Sequence, residues 1–183
     1  VELLATLGAT PRYTGLDLSI ASVDRARALY PSHEFHCVNA LTFEPATTAD
    51  LINATGVMQH EPRFDALLDR MISWSRRHVL FDIKLAAMSD HLADIERAYI
   101  ASDPPMYFVV LSADRFLREI AERRDIRRAE IFGYETPRNA NAVLPPEIGP
   151  LVSAGVLLET GTPPAGGPEI ISSLPPFLSN NSE

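Results

Sequence analysis

Two spacings of apolar residues alternate along this chain, and the switches between them divide it into strands and helices. Leu3, Leu4 and Leu7 have helical spacing and stop at Gly8, so a helix is expected over Glu2 to Leu7. Arg12 to Leu16 reads as a short strand, and Ser19 is placed to cap a helix that carries Val23, Ala26 and Leu29 on one side. Glu34 to Val38 is a third element of extended type, and Asp50 to Gly56 (DLINATG) a fourth, poor in charge as a strand buried on both faces should be. The strongest helical pattern runs from Pro62 to Arg77, with Phe64, Leu67, Leu68, Met71, Ile72 and Trp74 on or near one face. His78 to Ile83 is read as a strand, Asp90 to Ile100 and Ala113 to Arg124 as helices, and Ile126 to Tyr134 and Ser153 to Glu159 as closing strands. This alternation is the pattern of an α/β domain in which helices cover a largely parallel sheet. From Gly161 onward the chain is rich in Pro, Gly, Ser and Asn, so one domain over 1–161 with a loose tail over 162–183 is expected.

The first position with chemical meaning is Asp17, at the end of the strand in YTGLDLS. In doubly wound nucleotide-binding folds an acid at the end of the second strand accepts hydrogen bonds from ribose hydroxyls. The two oxygens of a carboxylate suit that task, since they take both neighbouring hydroxyls as charge-assisted bonds. The alternative role is local: an acid there also favours the start of the next helix. A glycine-rich phosphate or sulfonium loop is expected roughly 20 residues before such an acid. Counting back from Asp17 passes Val1, and VELLATLG already has helical spacing, so the chain is read as starting a strand and a loop into its fold.

Composition narrows the function classes. The 183 residues are 46% hydrophobic and 22% charged, as for a globular domain. A formal net charge of −8 disfavours nucleic acid as a partner, because binders of phosphate backbones carry a basic footprint. No apolar run reaches the length of a membrane span and no signal peptide is visible, which makes a cytoplasmic protein without membrane partners the expectation. The single cysteine, Cys37, excludes an internal disulfide; it falls in a predicted strand and is expected as a small core residue. His33, His36, His78 and His91 lack metal-ligand spacing and are expected to be solvated or structural, so no metal is expected. Arg115, Arg118, Arg123, Arg124, Arg127 and Arg128 are interleaved with Glu119, Glu122 and Asp125, the pattern of a solvated face.

Four stretches, in this order, resemble the class I S-adenosylmethionine-dependent methyltransferases: YTGLDLS followed by ASVDRAR; FHCVNAL; DLINATGVMQHEP; and RFDALLDRMISWSRRHVLFDIKL. EIFGYETP and PLVSAGVLLETG are similar to the antiparallel pair that closes that family's sheet. The resemblance implies a doubly wound, Rossmann-like sheet of seven strands, mostly parallel with a closing antiparallel strand, its first strand missing here. It implies S-adenosylmethionine as cofactor and a small-molecule acceptor. Asp17 takes the ribose position with Leu18 beside the adenine, and Asn39-Ala40 stands where an Asp-Ala pair reads the adenine. Asn39 can donate to a ring nitrogen and accept from the exocyclic amine, with a geometry unlike a carboxylate's. Thr55, Gly56 and Val57 fall in the loop beneath the methyl group, and His60, closing that loop, is the candidate general base. Its alternative role is to order the loop or the helix that follows. Ile83-Lys84-Leu85 and the loop Asp103 to Tyr107 stand where substrate-side walls belong.

Two other readings share these residues. A methyltransferase-like domain without catalytic activity accommodates the missing loop. A nicotinamide-dependent dehydrogenase also places an acid after its second strand, but the closing strand pair and the lack of a Tyr-x-x-x-Lys pair argue against it. Nothing in the sequence specifies a number of subunits.

Overall fold

The computed structural model describes Thr6, Gly8 and residues 10–178. The helix expected over Glu2 to Leu7 therefore lies, except for Thr6, outside the described residues. The chain divides into two compact units, 1–46 and 47–183, where one domain over 1–161 was expected.

The first unit is a parallel strand pair joined by a helix. Strand β1 (Thr14–Asp17) pairs with β2 (Glu34–Cys37) in the register Thr14↔Glu34 to Asp17↔Cys37. Between them runs α1 (Ile20–Leu29), started by Ser19, whose hydroxyl accepts from the Ser22 amide at 3.3 Å. Val23 is the buried residue of this helix, and Arg27 fastens it to β2 by donating to the Phe35 carbonyl from Nη2 at 2.7 Å and Nε at 3.2 Å. Cys37 corrects its expectation: it is exposed, with Sγ 3.4 Å from the Leu18 carbonyl. In a strand whose side chains alternate sides, its neighbour His36 takes the more covered position.

The second unit is built on a mixed sheet. Its strands are β3 (Ala49–Ala54), β4 (Ser75–Ala86), β7 (Leu111–Ser112), β8 (Ile126–Thr136), β10 (Leu151–Thr160) and β11 (Glu169–Ser173). The spatial order is β11-β8-β10-β4-β3, with β7 against the end of β4. The pairs β3–β4, β4–β7 and β8–β11 are parallel, and β10 is antiparallel to both β4 and β8. The α/β class and the antiparallel closing strand are thus as expected. Among the described residues β1 and β2 form a two-stranded sheet, and the six strands of the second unit named above form another.

The period-two pattern of β4 explains its place at the centre. Val79, Phe81, Ile83 and Leu85 point to one face and are completely or almost completely buried. Val152, Ala154, Val156 and Leu158 of β10 lie opposite or beside them and are equally enclosed. On the other face Leu80, Asp82 and Lys84 are half-buried. Helix α2 (Phe64–Trp74) packs on β3 and β4 through all six apolar residues named from the sequence. It is shorter than expected: Ser75 ends it and opens β4 directly, so Arg76 and Arg77 are strand residues, with Arg76 donating to Asp50 of β3 at 3.1 Å. Helix α3 (Ala113–Glu122) starts at Ser112, whose hydroxyl accepts from the Arg115 amide and donates to the Met88 carbonyl at 2.6 Å.

Two expectations fail for tertiary reasons. No helix forms over Asp90 to Ile100: the Asp94 side chain accepts from the Glu96 amide at 2.9 Å, a local turn that competes with helix. Leu92 instead exchanges backbone bonds with Val110 at 2.8 and 2.9 Å. Then β5 (Tyr99–Ile100) pairs with β6 (Met106–Tyr107) and β9 (Ala142–Val143) in a small antiparallel sheet. The apolar residues that suggested a helix, Leu92, Ala98 and Ile100, bury themselves with Phe108, Val110 and Ile148. The supposed loose tail contains β11, which adds to the β8 edge through Ile170↔Ala129 and its neighbours.

Arg123 at the end of α3 ties three segments together. It donates to Asp69 of α2 at 2.8 Å and, through two nitrogens, to Asp125 at 2.8 and 2.7 Å. The guanidinium hydrogen bonds hold the Asp125 carboxyl below its ordinary range against the opposing effect of burial. The folded value is lowered, so this stabilisation is complete above the unfolded carboxylate pKa and is lost as pH falls through the folded one. Arg123→Gln is expected to destabilise the protein by about 1 kcal/mol at neutral pH, a modest figure because Asp69 and Asp125 are largely solvated. The difference from wild type should shrink below about pH 4. Urea unfolding at several pH values measures it, and a difference that persists in acid would contradict the assignment.

Candidate functional site

In the first unit one polar candidate is at the carboxyl end of its strand and the other just past the end of the adjacent parallel strand, where open α/β sheets bind ligands. Asp17 ends β1, and its Oδ1 accepts from the Ser19 amide at 2.7 Å. Its Oδ2 has no hydrogen bond among the described residues and remains available to a hydroxyl donor. Leu18, the next residue, is 73% exposed. Asn39 follows β2 by two residues, and its Oδ1 accepts from the Leu41 amide at 2.9 Å, closing an Asx turn. Its carbonyl receives the Thr42 and Phe43 amides, both at 3.0 Å. The Asn39 amide group keeps its donor side without a partner among the described residues, so Asn39 has more to give than to accept. Ala40 lies inside this turn. These atoms fit an adenosine in part: an acceptor for ribose and a donor for a ring nitrogen.

In the second unit the loop after β3 is pinned at both ends. The Thr55 amide donates to Asn53 Oδ1 at 3.2 Å. Gly56 has φ of +75°, a left-handed conformation that favours glycine, and its amide donates to the carboxylate of Asp82 on β4. Val57 is 43% exposed, whereas Met58 is buried and anchors a short 3₁₀ turn, Met58–His60. The far end is held by the Val109 amide, which donates to the Gln59 carbonyl at 2.8 Å.

His60 has a defined tautomer. Its Nδ1 lies 2.8 Å from the Tyr107 carbonyl, which can only accept, so Nδ1 carries the proton. In the neutral ring Nε2 is then the acceptor, and the Gln59 side-chain amide donates to it at 3.1 Å. Gln59 Oε1 is buried with no hydrogen-bond partner among the described residues. Such an orphaned acceptor is uncommon and costs free energy. Turning the Gln59 amide over would present Oε1 to His60 Nε2 in place of the amide nitrogen.

Both residues open onto a cavity of about 410 Å3. Its floor is a row across three strands: Lys84 of β4 stands opposite Ser153 of β10, and Ser153 opposite Tyr134 of β8. Residues in such a row share one face of the sheet. Lys84 Nζ donates to Ser153 Oγ at 2.5 Å, and Ser153 Oγ lies 3.5 Å from Thr136 Oγ1. Ile100, Met106, Phe108 and Leu151 supply apolar lining, and Asn139 is a further polar lining residue. Met106 and Lys84 come from the two segments that the sequence named as substrate-side walls. Gln59, Thr136, Asn139 and Ser153 were not singled out. The available signal for Ser153 is a hydroxyl inside the apolar run LVSAGVLL.

Asp17, Leu18, Asn39 and Ala40 thus gather in the first unit, and Thr55, Gly56, Val57 and His60 in the second. A separate cluster in the second unit joins His91, Glu119, Arg115 and Asp90. His91 Nδ1 accepts from the Ser112 amide at 3.0 Å, and its Nε2 donates to Glu119 at 2.9 Å. Burial opposes the charge on Glu119, but the hydrogen bonds from His91 and Arg115 still hold its carboxyl below the ordinary value. This network caps α3. Among the described residues no three His, Cys, Asp or Glu side chains come together as a metal site, and no helix is long and apolar enough to cross a membrane.

No family model matches the sequence, and no curated protein matches it. Solved structures do resemble the fold. A methyltransferase dependent on S-adenosylmethionine from Clostridium acetobutylicum superposes with a TM-score of 0.50 at 10% identity, over 85% of this chain and 77% of its own. The O-methyltransferase of a polyketide multienzyme from Brevibacillus brevis, crystallised with S-adenosyl-L-homocysteine, gives 0.50 at 13% identity over 66% of this chain and 40% of its own. A protein of Bordetella parapertussis described as possibly exported gives 0.51 at 15% identity, over 89% and 58%. The chain spans less than two thirds of the length of several of the structures it matches. At these identities the likeness is one of architecture, and the chain has the α/β fold seen in S-adenosylmethionine-dependent methyltransferases.

Proposed function

We propose that this chain transfers a methyl group from S-adenosylmethionine to a small-molecule acceptor by in-line displacement. The observation that carries the reading is the placement of Asp17 and Asn39 at the carboxyl ends of adjacent parallel strands, in a fold shared with methyltransferases. The doubly wound, seven-stranded arrangement of that family is part of the same proposal. S-adenosylmethionine, when bound, supplies an electrophilic methyl on a sulfonium. Asp17 Oδ2 holds a ribose hydroxyl, Leu18 covers the adenine, and the Asn39 amide donates to a ring nitrogen beside Ala40. In the second unit Thr55, Gly56 and Val57 are assigned to the reacting end on the family resemblance alone, and Gly56 suits that role because it has no side chain.

The acceptor occupies the cavity lined by His60 and Lys84. His60 Nε2 takes the proton that leaves the acceptor heteroatom, after the Gln59 amide has turned away, while the bond from Nδ1 to the Tyr107 carbonyl holds the ring. Alignment of the acceptor supplies the rest, since fixing the reactants in a near-attack geometry removes much of the barrier. A small acceptor in the cytoplasm, with neither nucleic acid nor membrane as partner, accords with the net charge of −8.

One observation favours a second reading, a methyltransferase-like domain that does not turn over cofactor: Asp17 Oδ1 and Asn39 Oδ1 are each already occupied by a local amide. Calorimetric titration of S-adenosylmethionine and S-adenosylhomocysteine into the full-length natural protein separates the two. Micromolar binding is expected, weakened about tenfold or more in Asp17→Asn. That variant keeps an acceptor for the Ser19 amide and removes only the charge, so the helix start is preserved. A well-folded protein that binds neither compound leaves the second reading standing.

A further inference from the structure

We infer that the acceptor recognised in the cavity is a carboxylic acid, its carboxylate held by Lys84. This deepens the methyl-transfer reading and rests on it for what the cavity is used for. The electrostatics are carried by the cavity itself. Its lining contains no aspartate or glutamate, although the chain as a whole is strongly acidic. Lys84 is the one lysine or arginine in that lining, and it has no ion pair among the described residues; its hydrogen bond goes to a neutral hydroxyl, Ser153. The nearest acid along its own face, Asp82, is engaged by the Gly56 amide instead. A half-buried cation without a counter-ion, in a site built for a ligand, is completed by an anion from the ligand.

The kind of anion follows from what surrounds Lys84. Ser153, already accepting from the ammonium, has its own proton free to rotate toward a second oxygen, with only the long 3.5 Å approach to Thr136 competing. Two donors side by side, one charged and one neutral, match the two oxygens of a carboxylate. The larger charge and three oxygens of a phosphate monoester would be matched better by a guanidinium fork or the amides of a helix start, and neither lines this cavity. Ile100, Met106, Phe108 and Leu151 offer an apolar wall for the body of the molecule. The volume of about 410 Å3 suits a small aromatic or short branched acid. With the carboxylate at Lys84, a hydroxyl or amine elsewhere on the molecule is left for His60.

The test uses matched pairs of small aromatic hydroxy acids and amino acids and their primary amides, titrated into the full-length natural protein at millimolar concentration and followed by NMR. Each pair differs only in the charge to be recognised. At least one acid is expected to bind about tenfold more tightly than its amide. The preference should disappear in Lys84→Gln and persist in Lys84→Arg, with unchanged circular dichroism certifying the fold of both. Ser153→Ala should weaken the preference without abolishing it. Acids that bind no better than their amides, acids that do not bind at all, or a preference that survives in Lys84→Gln each overturn the inference. None of these measurements needs cofactor, so they stand apart from the titration with S-adenosylhomocysteine. Carboxylate preference without cofactor binding would retain the site and remove the methyl transfer, and the reverse would retain the enzyme and remove the acid.

Discussion

Phe81→Ala should destabilise the second unit by about 3–5 kcal/mol, the range for truncating a buried phenylalanine. Phe81 is at the middle of β4, completely buried, with Ala54 of β3 beside it on one flank and Val156 of β10 on the other. Removing the ring deletes its transfer free energy and leaves a cavity. Strands held by hydrogen bonds on both sides have little freedom to close it. The internal control is Phe132→Ala. Phe132 belongs to β8, separated from β4 only by β10, but it is 51% exposed, on the opposite face. Its loss should cost less than about 1 kcal/mol. Urea unfolding gives both values, provided the denaturant slope is unchanged between variants. Equal effects for the two phenylalanines would mean that the face assigned to the core is wrong, and with it the face assigned to the cavity.

The second large effect concerns turnover. With S-adenosylmethionine and an accepted substrate, His60→Ala is expected to lower kcat about 10²-fold or more, the lower end of what a positioned base contributes. Affinity for S-adenosylhomocysteine should change little, since the hydrogen-bond partners of His60 among the described residues are Gln59 and Tyr107, which belong to the acceptor cavity's own unit. A base and a mere loop anchor lose different things. The anchor function resides in Nδ1, which donates to the Tyr107 carbonyl, and the proton-accepting function in Nε2, which faces Gln59. Free imidazole added to His60→Ala should restore part of the rate if Nε2 accepts the proton. It cannot restore a loop. A kcat within about twofold of wild type would remove the base from the mechanism and leave alignment as the whole of catalysis.

The alternation of elements needed no tertiary information. The helices Ile20–Leu29, Phe64–Trp74 and Ala113–Glu122 and the strands around Leu16, Ile52, Phe81, Ile131 and Val156 all follow from periodicities read over a few turns or pleats. Ser19 was legible as a cap for the same reason, because its bond spans three residues. Asp17 and Asn39 were legible as strand-end residues, and the structure adds the turns in which each uses one oxygen.

What the chain alone did not decide is everything that depends on distant partners. Apolar spacing over Asp90 to Ile100 is the same for a helix as for an irregular segment pressed into a core. Pairing with Val110, Tyr107 and Val143 settled it. The Pro- and Gly-rich composition after Gly161 suggested freedom, but an open edge at β8 made a strand of Glu169–Ser173. The cavity is the clearest case. Lys84, Ser153 and Tyr134 are far apart in sequence, and only the register of two antiparallel pairings sets them in one row on one face. A slip of one residue in either pairing would turn those side chains into the core. Local sequence therefore determined which elements form, because propensity and period act over a few residues. The tertiary structure determined which side chains meet, because strand register is set by the packing of the whole sheet.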